Sequence, residues 1–279
     1  MRMINFKIFP AVFFILICFI SSVTNAAITV KKPTHHKRIY KGMIDAKSEN
    51  SWFIGAGVGR SWINLKKSST TVPNGSFVPP PSDQDTYTIK NPSPQTPAQV
   101  NVGYRWHQDK KFLPYYSLFV QYRHYYSTEI KGNIYQYSLP GFENYDYRIK
   151  YSADLFSLNG KLNLFEYKRM LPYVSAGIGA IYNSLGSYNE SALAGVTARI
   201  SPDYSNSHSN LALTVGAGID FKFSKNIWAT LGYEFVTQNA VKSGNGVGSW
   251  SSTYLNFGRA NMNTVFLNIA ANIPDSVRS

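Results

Sequence analysis

The sequence predicts an all-β fold, an eight-stranded antiparallel up-and-down transmembrane β-barrel. Three observations carry that expectation. First, apolar residues recur at every second position, as in "LALTVGAGIDFKF", where Leu211, Leu213, Val215, Ala217, Ile219, Phe221 and Phe223 alternate with small or charged residues. A period of two is a strand with one oily face. Second, eight such stretches follow one another, most of them holding the roughly 9–11 residues that a tilted membrane strand requires. Third, the links between them alternate long and short, which places long loops at one end of a barrel and tight turns at the other.

The strands come in order. The first is Ser51 to Trp62, "SWFIGAGVGRSW", with Trp52, Ile54, Ala56 and Val58 on one side. Ala98 to His107 follows, then Pro114 to Ser127 with Tyr116, Leu118, Val120 and Tyr122 in phase. The fourth lies within Tyr145 to Phe165, its membrane part at "LFSLNGKLNLF". Upstream the apolar parity reverses (Tyr147, Ile149, Tyr151), which implies either a β-bulge near Asp154 or a strand that continues above the bilayer. The remaining strands are Pro172 to Asn183, Leu211 to Phe223, Ile227 to Thr237 and Asn261 to Ile273. The links measure about 35, 6, 17, 6, 25, 3 and 23 residues, and the first carries half of the prolines.

Residues 1–26 read as a secretory signal peptide: Arg2 and Lys7, then an apolar run from Ile8 to Ile20, then small residues up to Ala26. The only cysteine, Cys18, lies in that peptide, so the mature chain has neither disulfides nor cysteine–metal sites. Removing Arg2 and Lys7 takes the formal charge from +13 to +11. Residues 27–50, with "KKPTHHKRIYKG", form a basic mobile tail; 51–273 form the barrel; 274–279 form a short C-terminal tail. A basic exported chain favours anionic lipid over nucleic acid.

A soluble sandwich or lipocalin-like barrel with its oily face inward is the competing reading. The reverse faces of these strands are rich in Gly, Ala, Ser, Thr and Asn and lack a Lys/Glu coat, which suits a narrow lumen filled by side chains. Aromatics also collect at strand ends (Trp52, Trp62, Tyr104, Trp106, Tyr116, Tyr126, Tyr182, Phe223, Tyr233), as in the girdles of membrane barrels. Lipid on the oily side is the better fit.

"WFIGAGVGRSW", "LPYVSAGIGAIY" and "LALTVGAGIDFKFSKNIWATLGYEF" resemble strands of the OmpA-like and opacity-like outer-membrane barrels, a resemblance that covers Ser51 to Ile273. It implies localisation in a bacterial outer membrane, both termini periplasmic, and variable surface loops. Such chains usually end on an aromatic, whereas this one continues past Ile273 as "PDSVRS", and no peptidoglycan-binding domain follows.

By parity Arg105, Arg123, Lys161, Asp220, Lys222 and Glu234 face the lumen. Buried charges need partners, so an Arg123–Glu234 bridge is expected, with Asp220 answering Lys161 or Arg105. Such a network acts as a gate or, as the crowding favours, as a plug. Arg60, Lys66, Lys67, Arg148, Lys150 and Arg259 lie near the rims, where they can meet lipopolysaccharide phosphates or simply be solvated. His208 and Ser209 are adjacent and so point to opposite faces, the wrong arrangement for a strand-borne deacylase pair, which needs the two residues two apart. His124, near Ser127, reads as a rim histidine among tyrosines. The glycine-rich pieces lie inside strands, with no phosphate-loop context.

The expected protein is therefore not an enzyme, and it uses no cofactor or metal. It is an outer-membrane surface protein with a structural or adhesive role. The first loop, Thr70 to Pro97, would be its recognition surface toward a host-cell or matrix ligand. The alternatives are a small-solute or ion channel and, further off, a lipid A-modifying enzyme.

Overall fold

The computed structural model describes residues 50–75, 79, 80 and 82–274. The expected signal peptide, nearly all of the basic tail and residues 275–279 lie outside the described residues. Ten strands follow in order: β1 (Ser51–Leu65), β2 (Ser69–Pro73), β3 (Gln84–Thr88), β4 (Pro97–His107), β5 (Phe112–Tyr135), β6 (Glu143–Phe165), β7 (Met170–Ala192), β8 (Asn206–Lys222), β9 (Ile227–Asn245) and β10 (Tyr254–Pro274). β1, β4, β5, β6, β7, β8, β9 and β10 close an antiparallel ring of eight, with β5 paired to β6. β2 and β3 form an extra hairpin that docks on β5.

The strands are longer than the sequence pattern suggested: β5 has 24 residues, and β6 and β7 have 23 each. Crossing a bilayer takes only about 9–11. The long links are accordingly shorter, and residues 136–142, 193–205 and 246–253 remain between strands at the loop end. Ser51 pairs with Pro274 at the opposite end, together with the tight turns.

β6 shows why the apolar parity reverses. From Tyr145 to Leu155 its inward residues are apolar (Tyr145, Tyr147, Ile149, Tyr151, Ala153, Leu155), and from Ser157 to Asn163 they are Ser, Asn, Lys and Asn. The outward residues do the opposite, from Asp146, Arg148 and Lys150 to Phe156, Leu158 and Leu162. The strand keeps its phase; what changes is the solvent outside it. Where the wall faces hydrocarbon, apolar groups point out and the lumen is polar. Where it stands in water, the same wall encloses an ordinary hydrophobic core of Ile63, Tyr125, Ile149, Leu185, Phe257 and their neighbours. A bulge at Asp154 is therefore not the cause. The extra residues sit on β5, between Tyr125 and Thr128, and on β7 opposite Arg148–Lys150, where Ser187 takes a positive φ of 51°.

In the lower half Val58, Val120, Phe156, Ile178, Leu213 and Ile269 are each at least half exposed around the ring. A continuous oily belt of this kind is incompatible with a water-soluble monomer. Closure leaves no edge strand among the eight that form it, so the backbone is paired as hydrocarbon demands. At the turn end, Trp52, Tyr104, Trp106 and Tyr116 form a chain of ring contacts across β1, β4 and β5 at 4.8–5.3 Å, the first two T-shaped and the Trp106–Tyr116 pair stacked face to face.

Candidate functional site: a packed lumen beneath a latched cap

The lumen charges lie in two layers. In the upper one Arg123, fully buried, donates from Nη1 to Glu234 Oε1 at 2.5 Å and to the Tyr125 hydroxyl at 3.2 Å. Its Nε and Nη2 both reach Gln99 Oε1 (2.9 and 2.6 Å), and Phe266 lies 5.4 Å from its guanidinium. In the lower layer Lys161 Nζ donates to both oxygens of Asp220 (3.1 and 2.9 Å), which also accept from Thr230 and Asn163. Arg105 does not make that contact. Instead it donates to Asn272 Oδ1 at 2.8 Å and rests on Trp228, 3.7 Å from the ring centre. Lys222 turns to the lower mouth, where it meets Glu166 at 2.7 Å and the Tyr115 hydroxyl at 2.8 Å.

Between the layers a cavity of about 40 Å³ is lined by Phe53, Gln121, Tyr173 and others. That is room for a water or a few. Buried ion pairs contribute little net stability, but breaking one is costly because the surviving charge has no water. The arrangement therefore holds the barrel filled at fixed register.

The basic rim residues do not form one site. Lys66, Lys67 and Arg259 sit together where β1 ends, with the Lys66 amide donating to the Arg259 carbonyl at 3.0 Å. Arg60 lies lower on β1. Arg148 and Lys150 are on β6, where they face Lys131 and Glu129 of β5.

Of the histidines, His208 faces inward with Ser209 outward on β8. His124 Nδ1 lies 2.7 Å from Asp154 Oδ1, which also accepts the Tyr122 hydroxyl at 2.7 Å; Ser127 falls within the β5 bulge.

The feature that sequence reasoning missed is a cap. Arg199, from the β7–β8 link, lies over the mouth of the upper core and donates to Asp85 of β3 (2.9 Å) and Glu190 of β7 (2.7 Å). Its guanidinium also covers Tyr145 of β6 (4.7 Å) and Trp250 of the β9–β10 link (5.2 Å). One side chain thus ties together elements from all four loop regions. Glu190 further accepts from Tyr188 and Tyr87. Burial opposes the charge on Arg199, yet its bonds to Glu190 and Asp85 together hold its pKa above the usual value. Burial, then the neighbouring Tyr87 and Glu190, push the Tyr188 phenol up. No local signal marks Arg199 as special, because its partner Asp85 is 114 residues away.

No protein-family model matches the chain. No curated protein matches it. Among solved structures it is similar to Neisserial surface protein A (10% identity, 79% of this chain and 96% of that one, TM-score 0.44). It is also similar to outer membrane protein OprG from Pseudomonas aeruginosa (11%, 81% and 97%, TM-score 0.39). A third is Ail, the attachment invasion locus protein of Yersinia pestis (15%, 81% and 99%, TM-score 0.34). All three are eight-stranded outer-membrane β-barrels. This chain folds as one too. The assignment rests on its closed ring of strand pairing and its oily belt.

Proposed function

We propose that the protein is a non-enzymatic surface barrel of the outer membrane, with both termini periplasmic, that presents a rigid set of loops to a host-cell or matrix ligand. The observation that carries this reading is the Arg199 latch, which fixes all four loop regions over a filled lumen. Preorganised loops on a rigid scaffold lose little entropy on binding. A solute channel is disfavoured because two layers of paired charge and the side chains around them occupy the lumen. In this reading Lys66, Lys67 and Arg259, brought together where β1 ends, pair with lipopolysaccharide phosphates.

The recognition surface is narrower than the whole first loop. Thr70, Val72, Tyr87 and Ile89 are buried in the upper core, so deleting Thr70 to Pro97 would open the wall. Replacing residues 74–83 with a tight turn spares it. Folded protein in nanodiscs should bind host cells or matrix and lose that binding with the shortened tip or after Arg199→Ala. Equal binding by all three proteins would overturn the reading. Planar-bilayer conductance and a lipid A assay test the channel and enzyme alternatives directly.

A further inference from the structure

The charges of the membrane-spanning lumen do not balance. Among its described residues three buried cations, Arg105, Arg123 and Lys161, stand against two buried carboxylates, Asp220 and Glu234, which leaves one positive charge over. Lys222 does not change that count, because Glu166 answers it at the lower mouth. Arg123 is paired with Glu234 and Lys161 with Asp220, so the unanswered cation is Arg105. It is 2% exposed, and its partners are an amide oxygen of Asn272 and the ring faces of Trp228 (3.7 Å) and Phe53 (5.0 Å). A cation buried without an anion is expensive, and a guanidinium keeps its charge even there. Ring faces offset part of that cost, yet neither they nor an amide neutralise the charge.

Arg105 also lines the cavity of about 40 Å³ between the two charge layers, together with Lys161 and Gln121. Two of the cavity-lining residues carry a buried polar atom with no protein partner, and both atoms are donors: Arg105 Nε and Gln121 Nε2. Gln121 is 3% exposed, and it stands on β5, the strand to which β4 pairs Arg105 through Ser117. Glu234 is in the lining too, but its charge is already met by Arg123. The remaining wall includes Phe53, Phe119 and Phe266, which keep the local dielectric low. Two unmet N–H donors and a residual positive charge select an acceptor that is negative. A water would accept from both donors and leave the charge standing. The volume suits one or a few waters, so it admits a monatomic anion and excludes an organic acid.

We infer that this lumen cavity binds one halide ion, chloride under physiological conditions, which accepts from Arg105 Nε and Gln121 Nε2 and neutralises the Arg105 guanidinium. The ion makes the plug electrically neutral and opens no path, since the Arg123–Glu234 layer stands above it and the Lys161–Asp220 layer beside Arg105 below. It enters as the strands close around it, so its binding free energy becomes part of the stability of the folded barrel. The inference goes beyond the surface-presentation reading and stands or falls separately from it.

The test refolds full-length protein into phospholipid vesicles at constant ionic strength in sodium chloride, sodium bromide or sodium gluconate, whose anion is too large for the cavity. Urea unfolding followed by heat-modified gel mobility should give a midpoint that rises saturably with chloride or bromide and stays flat in gluconate. An ion bound by the folded state alone raises the folding constant about a hundredfold at a hundredfold excess over its dissociation constant. Gln121→Glu supplies a carboxylate to the same cavity and should abolish the halide response; Arg105→Met should abolish it by deleting the charge. Crystals of the parent protein grown in bromide should show an anomalous peak in the cavity beside Arg105, a readout that holds even where a variant fails to fold. Equal parent midpoints in chloride and gluconate, an equal halide response in the parent and both variants, or no bromide peak in the cavity each overturns the inference. Loss of host-cell binding by the loop-tip variant bears on the surface role and leaves the halide site untouched.

Discussion

Arg199→Ala is the sharpest probe of the cap. Asp85 and Glu190 are each about 2% exposed at the side chain, and Arg199 is 14% exposed. Removing the guanidinium leaves two carboxylates facing a hydrophobic core with no cation, a situation that costs about 3–5 kcal/mol for a buried pair. Some solvent reaches Arg199, so the lower end applies, about 3 kcal/mol or roughly two powers of ten in the local opening equilibrium. The membrane half has its own charge layers and should keep its unfolding midpoint. Native-state proteolysis of the 193–205 segment, at a protease concentration where opening is fast relative to cleavage, should accelerate by about a hundredfold. Asp85→Asn with Glu190→Gln in the same chain should recover most of the protection. Cleavage within twofold of the parent, or a loss shared equally by the membrane half, would refute the idea that one side chain latches the loops.

Other outcomes follow from the same geometry. Tyr188 has its folded pKa raised above the ordinary 10.0, so the unfolded cap loses that proton first. Cap stability is therefore fully present below about pH 10 and falls as pH rises beyond it. Tyr188→Phe should flatten this alkaline loss, read by hydrogen exchange of the loop segment. Glu234→Gln strands Arg123 and should cost about 3–5 kcal/mol in urea unfolding followed by heat-modified gel mobility, while Arg123→Met with Glu234→Gln should restore most of it. A Cβ on Gly132 would sit 1.8 Å from the Thr88 carbonyl oxygen, so Gly132→Ala should displace the β2–β3 hairpin and expose residues 69–88 to protease. Lys66→Glu with Arg259→Glu should release co-purified lipopolysaccharide at lower chelator concentration than Arg148→Glu with Lys150→Glu.

Strand positions and sidedness in the membrane half were legible because one rule operates there: hydrocarbon outside, side-chain-filled lumen inside, period two throughout. Parity alone placed Arg123, Lys161, Asp220 and Glu234 inside. It could not choose between Lys161 and Arg105 as the partner of Asp220, since that depends on how far β4, β6 and β8 are staggered around the ring. The upper half was misjudged as loop for a physical reason. Above the bilayer the apolar residues move to the other face, so a pattern search tuned to an outward stripe stops at Asn183 on β7 although the strand runs to Ala192, whereas on β6 the reversed parity of Tyr147, Ile149 and Tyr151 already pointed to a strand that continues above the bilayer.

That change of environment at constant phase also explains where the chemistry worth testing lies. A wall that spans lipid must be closed, because an open edge in hydrocarbon leaves backbone groups unpaired at several kcal/mol each. Once the same wall stands in water that penalty disappears, and an open edge becomes affordable. β1 can therefore end at Leu65 while β10 continues to Tyr254, and the sheet's end strand, β2, falls above the ring that must stay sealed. The membrane thus fixes the lower barrel as a closed ring filled by paired charges, while the upper barrel, standing in water, is held by its own hydrophobic core and by the Arg199 latch across its loops.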